Sequence, residues 1–189
     1  LRTPLNVAQG RAEFALEECD SRDLDKVVES LSQMATIIED TLTLAREGST
    51  IQDPEPIEIR TLARENWAMV EADGARLEVE EDFVLVGDSD RLSRAFGNLF
   101  ENAVRYAGPD LTVRIGRTED GFYVEDDGEG IPESACNAVF EAGYTSSSEG
   151  TGFGLAIVKR IAEAHGWSVR VTEGSDGGAR FEFGDVDVR

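Results

Sequence analysis

Residues 150–160 read GTGFGLAIVKR, where three glycines alternate directly before a segment with apolar residues at helical spacing. Gly150, Gly152 and Gly154 leave backbone N–H groups accessible at the start of that helix. Because the helix dipole makes this end positive, the arrangement suits a polyphosphate. It is not the dinucleotide fingerprint, since no strand leads directly into it and no βαβ unit surrounds it. A glycine cluster before a helix is weak support for a phosphate site when taken alone.

A second polar group lies on a predicted helix whose middle, residues 96–107, reads FGNLFENAVRYA. Asn98 and Asn102 are one helical turn apart on one face, and Arg105 and Tyr106 follow on nearly the same side. Asparagine is a poor residue for a helix interior, so two of them at this spacing need a reason. One interpretation is a solvated polar face. The other is a ligand site, with an amide oxygen for a hard cation such as Mg²⁺, an arginine for phosphate and an aromatic ring for a base.

A third group is VEDDGEGIP at residues 124–132. Asp126 ends a predicted strand, and Gly128 and Gly130 allow the chain to turn sharply beside it. A plain hairpin turn is the simplest interpretation, since Asp-Gly pairs are common there. The functional alternative is a carboxylate in a pocket, where it accepts a hydrogen bond from an exocyclic amine.

The remaining pattern predicts an α+β chain in two parts. Apolar residues within 1–19 and 24–45 recur at alternating spacings of three and four, so residues 1–47 are predicted to form a helical hairpin. Such a hairpin completes a four-helix bundle when it dimerises. Residues 48–56 contain one glycine and two prolines and are predicted as a linker. Residues 57–189 are predicted to form an α/β sandwich whose mixed, mostly antiparallel sheet carries helices on one face.

Charge composition sets limits on the partners. The chain has 39 acidic and 18 basic residues and a formal net charge of −21, and among the basic residues only Lys26 and Lys159 are lysine. This favours a protein from a salt-filled cytoplasm, where self-repulsion is screened, over an ordinary acidic protein. Such a surface repels nucleic acid and anionic lipid, so neither is expected as a partner. Cys19 and Cys136 are expected to be reduced thiols, and no stretch is apolar enough to span a bilayer.

The order of the three groups resembles the ATP-binding domain of histidine kinases, type II topoisomerases, mismatch-repair ATPases and heat-shock chaperones (the GHKL, or Bergerat, type). The resemblance covers residues 57–189 and includes VFEAGYTS at 139–146, which is similar to a phenylalanine-containing box of histidine kinases. It implies that Asn102 ligates Mg²⁺ with help from Asn98, that Arg105 contacts phosphate, that Tyr106 stacks near adenine and that Asp126 accepts the adenine amine. The remaining implied nucleotide-binding residues are Gly128, Gly130, Ile131, Thr145, Gly150, Thr151, Gly152, Phe153, Gly154 and Leu155. Residues 133–150 would form a mobile lid.

One position separates the members of this superfamily. Hydrolytic members carry a glutamate four residues before the Mg²⁺ asparagine, and this chain has Asn98 there, which cannot act as a general base. The resemblance therefore implies that Asn98 belongs to a catalytic site that holds ATP for transfer to another nucleophile. Between Pro132 and Gly152 the chain has no Lys or Arg, although related kinases often supply a lid cation to the γ-phosphate.

The opening stretch LRTPLN resembles the phosphoacceptor box of sensor histidine kinases. By that resemblance the phosphorylated histidine lies two residues before Leu1, outside this chain, which is expected to begin inside a longer protein. Thr3 would position the water that dephosphorylates the partner response regulator, and Pro4 would bend the helix. His165, the single histidine, is expected to have a packing role rather than to accept phosphate.

The resemblance thus implies the catalytic core of a sensor histidine kinase in a two-component system. It would transfer the γ-phosphate of ATP to the upstream histidine and then to a response-regulator aspartate. The expected partners are a response regulator and a second copy bound through residues 1–47, and the expected location is the cytoplasm, with membrane attachment through an upstream region left open. A hydrolytic ATPase clamp and a non-catalytic nucleotide-binding scaffold remain as alternatives. Without the histidine, the chain itself is expected to bind Mg²⁺-ATP but not to autophosphorylate.

Overall fold

The computed structural model describes residues 2–18, 22–47, 51, 53–70, 74–107, 110–146 and 150–189. Its elements in chain order are α1 (Arg2–Glu18), α2 (Arg22–Glu47), β1 (Glu55–Glu58), α3 (Ile59–Trp67), β2 (Arg76–Val79), β3 (Val84–Gly87), α4 (Ser89–Ala107), β4 (Thr112–Arg117), β5 (Phe122–Asp126), α5 (Gly154–His165), β6 (Ser168–Glu173) and β7 (Ala179–Gly184). Two short 3₁₀ turns, Glu133–Ala135 and Ala138–Phe140, lie between β5 and α5.

The two amino-terminal helices pack against each other as a hairpin. Five of the predicted apolar positions on α2 are half-buried: Leu24, Val28, Leu31, Ala35 and Ile38. Several large apolar side chains of the hairpin remain exposed, namely Val7, Phe14, Val27, Met34 and Leu42. One chain therefore covers only part of the apolar surface of its hairpin. Cys19 lies outside the described residues, while Cys136 is a free thiol.

The main sheet has the strand order β2-β4-β5-β7-β6. The pair β2–β4 is parallel, and the other three pairs are antiparallel. Helices α3, α4 and α5 cover one face, where alternate strand residues such as Val113, Ile115 and Phe181 enter the core. This arrangement confirms the predicted α+β fold with a mixed, mostly antiparallel sheet.

A second, two-stranded sheet begins inside the segment predicted as a linker. β1 pairs with β3 in antiparallel register, with Glu55 opposite Gly87 and Glu58 opposite Val84. Pro56 fits in β1 because, as far as the structure describes it, this strand pairs with β3 only. The N–H that proline lacks is therefore not needed for a hydrogen bond to a strand on the other side of β1. On its far side β3 exchanges backbone hydrogen bonds with Arg189.

Phe122 occupies the centre of the core. Its ring stacks on Phe183 with centroids 4.6 Å apart and meets Trp167 edge-on at 6.1 Å. Phe96 of α4 lies 6.2 Å from the same ring, so Phe122 joins the sheet to the helix that carries both asparagines. Stacked and edge-to-face rings of this kind add to the energy of burial.

We expect Phe122→Ala to lower the free energy of unfolding by about 3–5 kcal/mol, because the side chain is 1% exposed and its removal leaves a cavity. Chemical denaturation monitored by circular dichroism measures this change. Met69→Ala is the matched control, since Met69 is 82% exposed and should change stability by less than about 0.5 kcal/mol. Similar losses in both variants would contradict the central role of Phe122.

Candidate functional site

An aspartate caps the start of helix α4, and the polar residues predicted for the site lie on the second half of the helix. The Asp88 carboxylate accepts a hydrogen bond from the backbone N–H of Arg91 at 3.1 Å and so caps the helix. The apolar face of α4 lies in the core through Leu92, Ala95, Phe96, Leu99, Phe100 and Ala103. Asn98, Asn102, Arg105 and Tyr106 are left outside that core.

The two asparagines have different surroundings. The amide of Asn98 donates a hydrogen bond to the backbone carbonyl of Arg94 at 2.8 Å. Asn102 is half-buried, and within the described part of the chain its side chain has no hydrogen-bond partner. An amide without a protein partner leaves its oxygen available to a ligand. The oxygen of Asn102 is thus a candidate ligand for a cation.

Asp126 is the most enclosed carboxylate among the predicted site residues, at 9% exposure. One oxygen, Oδ1, accepts backbone N–H bonds from Gly128 at 3.0 Å and from Ala179 at 3.1 Å. The second oxygen has no hydrogen-bond donor among the described residues. A fixed carboxylate with one unpaired oxygen can accept a hydrogen bond from an amine.

The glycine-rich segment lies beside the end of α4. A Cβ added to Gly150 would lie 2.7 Å from the hydroxyl of Thr145 and 3.2 Å from the guanidinium of Arg105. The hydroxyls of Tyr106 and Thr145 share a hydrogen bond at 3.3 Å. The structure therefore brings Arg105, Tyr106, Thr145 and Gly150 together, as predicted for one site.

The start of α5 approaches α4 closely. A Cβ added to Gly154 would lie 2.9 Å from the Asn98 side-chain oxygen, so only glycine fits there without a shift. Gly152 has a φ of +73°, which favours glycine as well. These two positions explain why the segment before α5 is rich in glycine.

The hairpin also reaches this segment. The hydroxyl of Thr151 donates a hydrogen bond to the carboxylate of Asp40 on α2 at 2.7 Å, and α2 packs against α5. Asp40 could not be identified from the sequence, because it lies off the apolar seam of α2 and nothing in its local pattern marks it. Only the packing of the hairpin on α5 brings it to the site.

The other predicted residues have less distinctive positions. Ile131, Phe153 and Leu155 are partly buried against the core, and Gly130 turns with a φ of +74°. Thr3 lies within α1, and its side chain is outside the description. Residues 147–149 of the predicted lid are likewise outside the described residues.

The charged residue beside Asp126 has the opposite environment. Glu125 faces the uncovered side of the sheet and is 3% exposed. It accepts hydrogen bonds from the hydroxyl of Ser175 at 2.6 Å and from Arg180 at 3.0 Å, and Arg114 lies 3.8 Å away. Burial opposes ionisation of Glu125, but the bonds from Ser175 and Arg180 outweigh it and hold its pKa below the ordinary value.

For Asp126 the balance is reversed. Burial raises the pKa of its carboxyl above the ordinary value, and the two backbone hydrogen bonds offset this only in part. The carboxylates of Asp127 and Glu125 add to the rise. Two neighbouring carboxyl groups therefore affect stability with opposite sign.

A cavity of about 450 Å³ lies elsewhere, between α3 and β2, lined by Arg64, Trp67, Ala68, Ala75, Arg76, Leu77 and Glu78. None of the predicted site residues lines it, so we do not assign it to the nucleotide. Among the described residues no group of three or more His, Cys, Asp or Glu side chains is placed to hold a metal ion. No helix in the described ranges has the length and apolar character to cross a membrane.

We expect Glu125→Gln to destabilise the fold at neutral pH and Asp126→Asn to leave stability equal or higher. The folded pKa of Glu125 is lowered, so its contribution is present above the unfolded pKa, near 4, and is lost as the pH falls through the folded value. The folded pKa of Asp126 is raised, so its carboxylate costs stability once the pH rises above the unfolded value. Denaturation midpoints measured from about pH 3 to pH 7 test both signs. The same sign for both variants would contradict this assignment.

Comparison with known families gives matches to two separate parts of the chain. Residues 87–189 match the family described as "Histidine kinase-, DNA gyrase B-, and HSP90-like ATPase". Residues 1–50 match the family described as "His Kinase A (phospho-acceptor) domain".

Individual relatives agree. The chain is 34% identical to the sensor protein CzcS of Cupriavidus metallidurans, over 96% of this chain and 42% of CzcS. It is 33% identical to the sensor protein kinase PmrB of Pseudomonas aeruginosa, over 94% of this chain and 41% of PmrB. The chain thus spans about two fifths of the length of these relatives.

Solved structures share the fold. Full-length ShkA, in complex with AMPPNP, superposes with a TM-score of 0.74 at 28% identity. The match covers 98% of this chain and 43% of the ShkA chain. The mycobacterial sensor histidine kinase MprB has a TM-score of 0.61 at 27% identity, covering 71% of this chain and 95% of its own. The chain therefore belongs to the sensor histidine kinases, with a phosphoacceptor helical hairpin followed by a histidine kinase-type ATPase domain.

Proposed function

We propose that residues 57–189 bind Mg²⁺-ATP and that the protein transfers the γ-phosphate to a histidine two residues before Leu1. One observation carries this proposal. Asp126 is a buried carboxylate whose Oδ1 is fixed by two backbone N–H groups and whose Oδ2 has no partner in the described part of the chain. That oxygen suits the exocyclic amine of adenine, since a carboxylate accepts and cannot donate.

The phosphate end of the nucleotide would lie between α4 and the start of α5. Asn102 would ligate Mg²⁺ through its unpaired amide oxygen, and Mg²⁺ bound there would neutralise charge on the transferring phosphoryl group. Arg105 would contact phosphate beside Gly150. The first backbone N–H groups of α5 would favour an anion at the start of that helix. Catalysis of this kind needs mainly positioning and charge neutralisation.

The residue types favour transfer over hydrolysis. Asn98 stands where a hydrolytic member would have a glutamate, and its amide donates to the carbonyl of Arg94. An amide in that position cannot activate water as a general base. We therefore propose phosphoryl transfer to histidine and then to an aspartate on a response regulator, with the exposed apolar side chains of the hairpin covered by a second copy.

We also propose that the protein works in concentrated salt within the cytoplasmic part of the cell. Its excess of acidic residues, 39 against 18 basic ones, would repel itself strongly in dilute buffer. At about 1 M salt the Debye length falls to about 3 Å, and this repulsion is screened.

We expect Asn102→Ala to weaken binding of Mg²⁺-ATP at least about tenfold, because it removes the proposed metal ligand. Isothermal titration calorimetry in molar salt measures the affinity. Adenosine without Mg²⁺ should bind both proteins equally, since the adenine end of the site is intact. Asn66→Ala is the matched control, because Asn66 is also a helical asparagine, donating to the Leu62 carbonyl at 2.8 Å, but lies on α3. Equal Mg²⁺-ATP affinity for wild type and Asn102→Ala would refute the metal assignment.

We expect Thr3→Ala, made in the intact kinase, to slow dephosphorylation of the partner response regulator at least about tenfold, with unchanged Mg²⁺-ATP affinity. The reason is that the proposed role of Thr3 is to position the attacking water. Release of phosphate from the phosphorylated regulator measures it. Thr36→Ala is the control, since the Thr36 hydroxyl donates to the Ser32 carbonyl within α2. An unchanged rate in Thr3→Ala would remove Thr3 from the site.

A further inference from the structure

His165 is the last residue of α5, at the end opposite to the glycine-rich segment. Its Nδ1 lies 2.8 Å from the backbone carbonyl oxygen of Ile161, and its Nε2 lies 3.0 Å from the backbone nitrogen of Asp88. A carbonyl oxygen can only accept, so Nδ1 carries the proton and donates. Nε2 then accepts from the N–H of Asp88. The neutral ring thus ties the end of α5 to the start of α4.

The ring is held closely in this position. A Cβ added to Gly87 would lie 2.9 Å from Nε2 and 3.1 Å from Leu92, so the glycine leaves just enough room for the imidazole. On another side the ring packs on Trp167, with centroids 4.2 Å apart. The side chain of Asp88, whose N–H donates to Nε2, forms an ion pair with Arg91, with Nε and Oδ2 3.4 Å apart. A side chain that only filled space here would not need a hydrogen-bond acceptor such as Nε2 directed at the start of α4.

The α4–α5 interface has two contacts that are about equally far apart along each segment. On α5, Gly154 and His165 are separated by about 16 Å at 1.5 Å per residue. Their contacts are Asn98 on α4 and Asp88, which caps the start of α4, and these two are separated by about 15 Å on the same basis. The contact at His165 therefore lies at the opposite end of the interface from the glycine-rich segment, where a hydrogen bond restrains sliding of α5 along α4.

We propose that His165 is a positioning residue for the phosphate end of the nucleotide. Its Nε2 holds α5 in the register that places the first backbone N–H groups of α5 opposite the asparagines of α4. This inference rests on the proposed binding of ATP between those helices. It assigns no contact between His165 and the nucleotide, whose site is at the other end of α5.

Substitution of His165 by glutamine or by asparagine tests the role of the Nε2 acceptor separately from that of the rest of the side chain. His165→Gln places an amide oxygen where Nε2 lies and keeps the bond from Asp88. His165→Asn places its amide where Nδ1 lies and keeps only the bond to Ile161. We expect His165→Gln to bind Mg²⁺-ATP within about twofold of wild type and His165→Asn to bind about five- to tenfold more weakly, as expected for one lost hydrogen bond. Adenosine should bind all three proteins equally, since Asp126 is not on either helix.

Amide hydrogen exchange of the nucleotide-free proteins provides a second measurement. The amides of residues 157–160, the first in α5 that donate intrahelical hydrogen bonds, should exchange faster in His165→Asn than in wild type or in His165→Gln, because α5 is no longer held at its far end. Equal Mg²⁺-ATP affinity in His165→Asn and wild type would overturn the inference, and so would equal weakening by both substitutions. Parallel loss of adenosine and ATP binding would also overturn it, since that indicates general destabilisation. A wild-type protein that does not bind Mg²⁺-ATP would refute the proposed function itself, while the exchange rates would still test the contact.

Discussion

The buried carboxylate of Asp126 is the constraint on which the site depends. A carboxylate at this depth must be hydrogen-bonded, and both donors to its Oδ1 are backbone N–H groups from different segments. One belongs to the turn at Gly128 and the other to Ala179 at the start of β7. A Cβ on Gly178 would collide with the backbone carbonyl of Asp126, so the chain before β7 must be glycine to come this close. One side chain thereby fixes a turn, a strand start and a neighbouring loop.

The alternation of side chains along β5 gives its last two residues different tasks. Glu125 points to the uncovered face, where arginines on β4 and β7 pair with it. Asp126 points the other way, where its hydrogen-bond donors among the described residues are backbone groups. An ionised carboxyl group thus stabilises the fold at Glu125 and destabilises it at Asp126. Binding sites commonly show this exchange of stability for a reactive or receptive group.

Local patterns in the sequence were enough to predict most of the elements and the outline of the site. Helices α4 and α5 have strong apolar periodicity, and the glycine positions follow from turns and close approaches that act within a few residues. The bond from Ala179 to Asp126, the bond from Thr151 to Asp40 and the bond from Asp88 to His165 join residues 50 or more positions apart. Sequence spacing carries no information about such pairs. The packing role expected for His165 agrees with its contact to Trp167, but the hydrogen bond across the two helices was missed.

The strand order has a consequence for how copies of the protein meet. β2 and β6 lie at the two edges of the main sheet, and an edge exposes unpaired backbone groups that can recruit a strand from another molecule. Both edges carry charged side chains that point to solvent, including Arg76 and Glu78 on β2 and Arg170 and Glu173 on β6. Charges in these places discourage strand addition. The edges of the main sheet are therefore unfavourable surfaces for contact between copies of the protein.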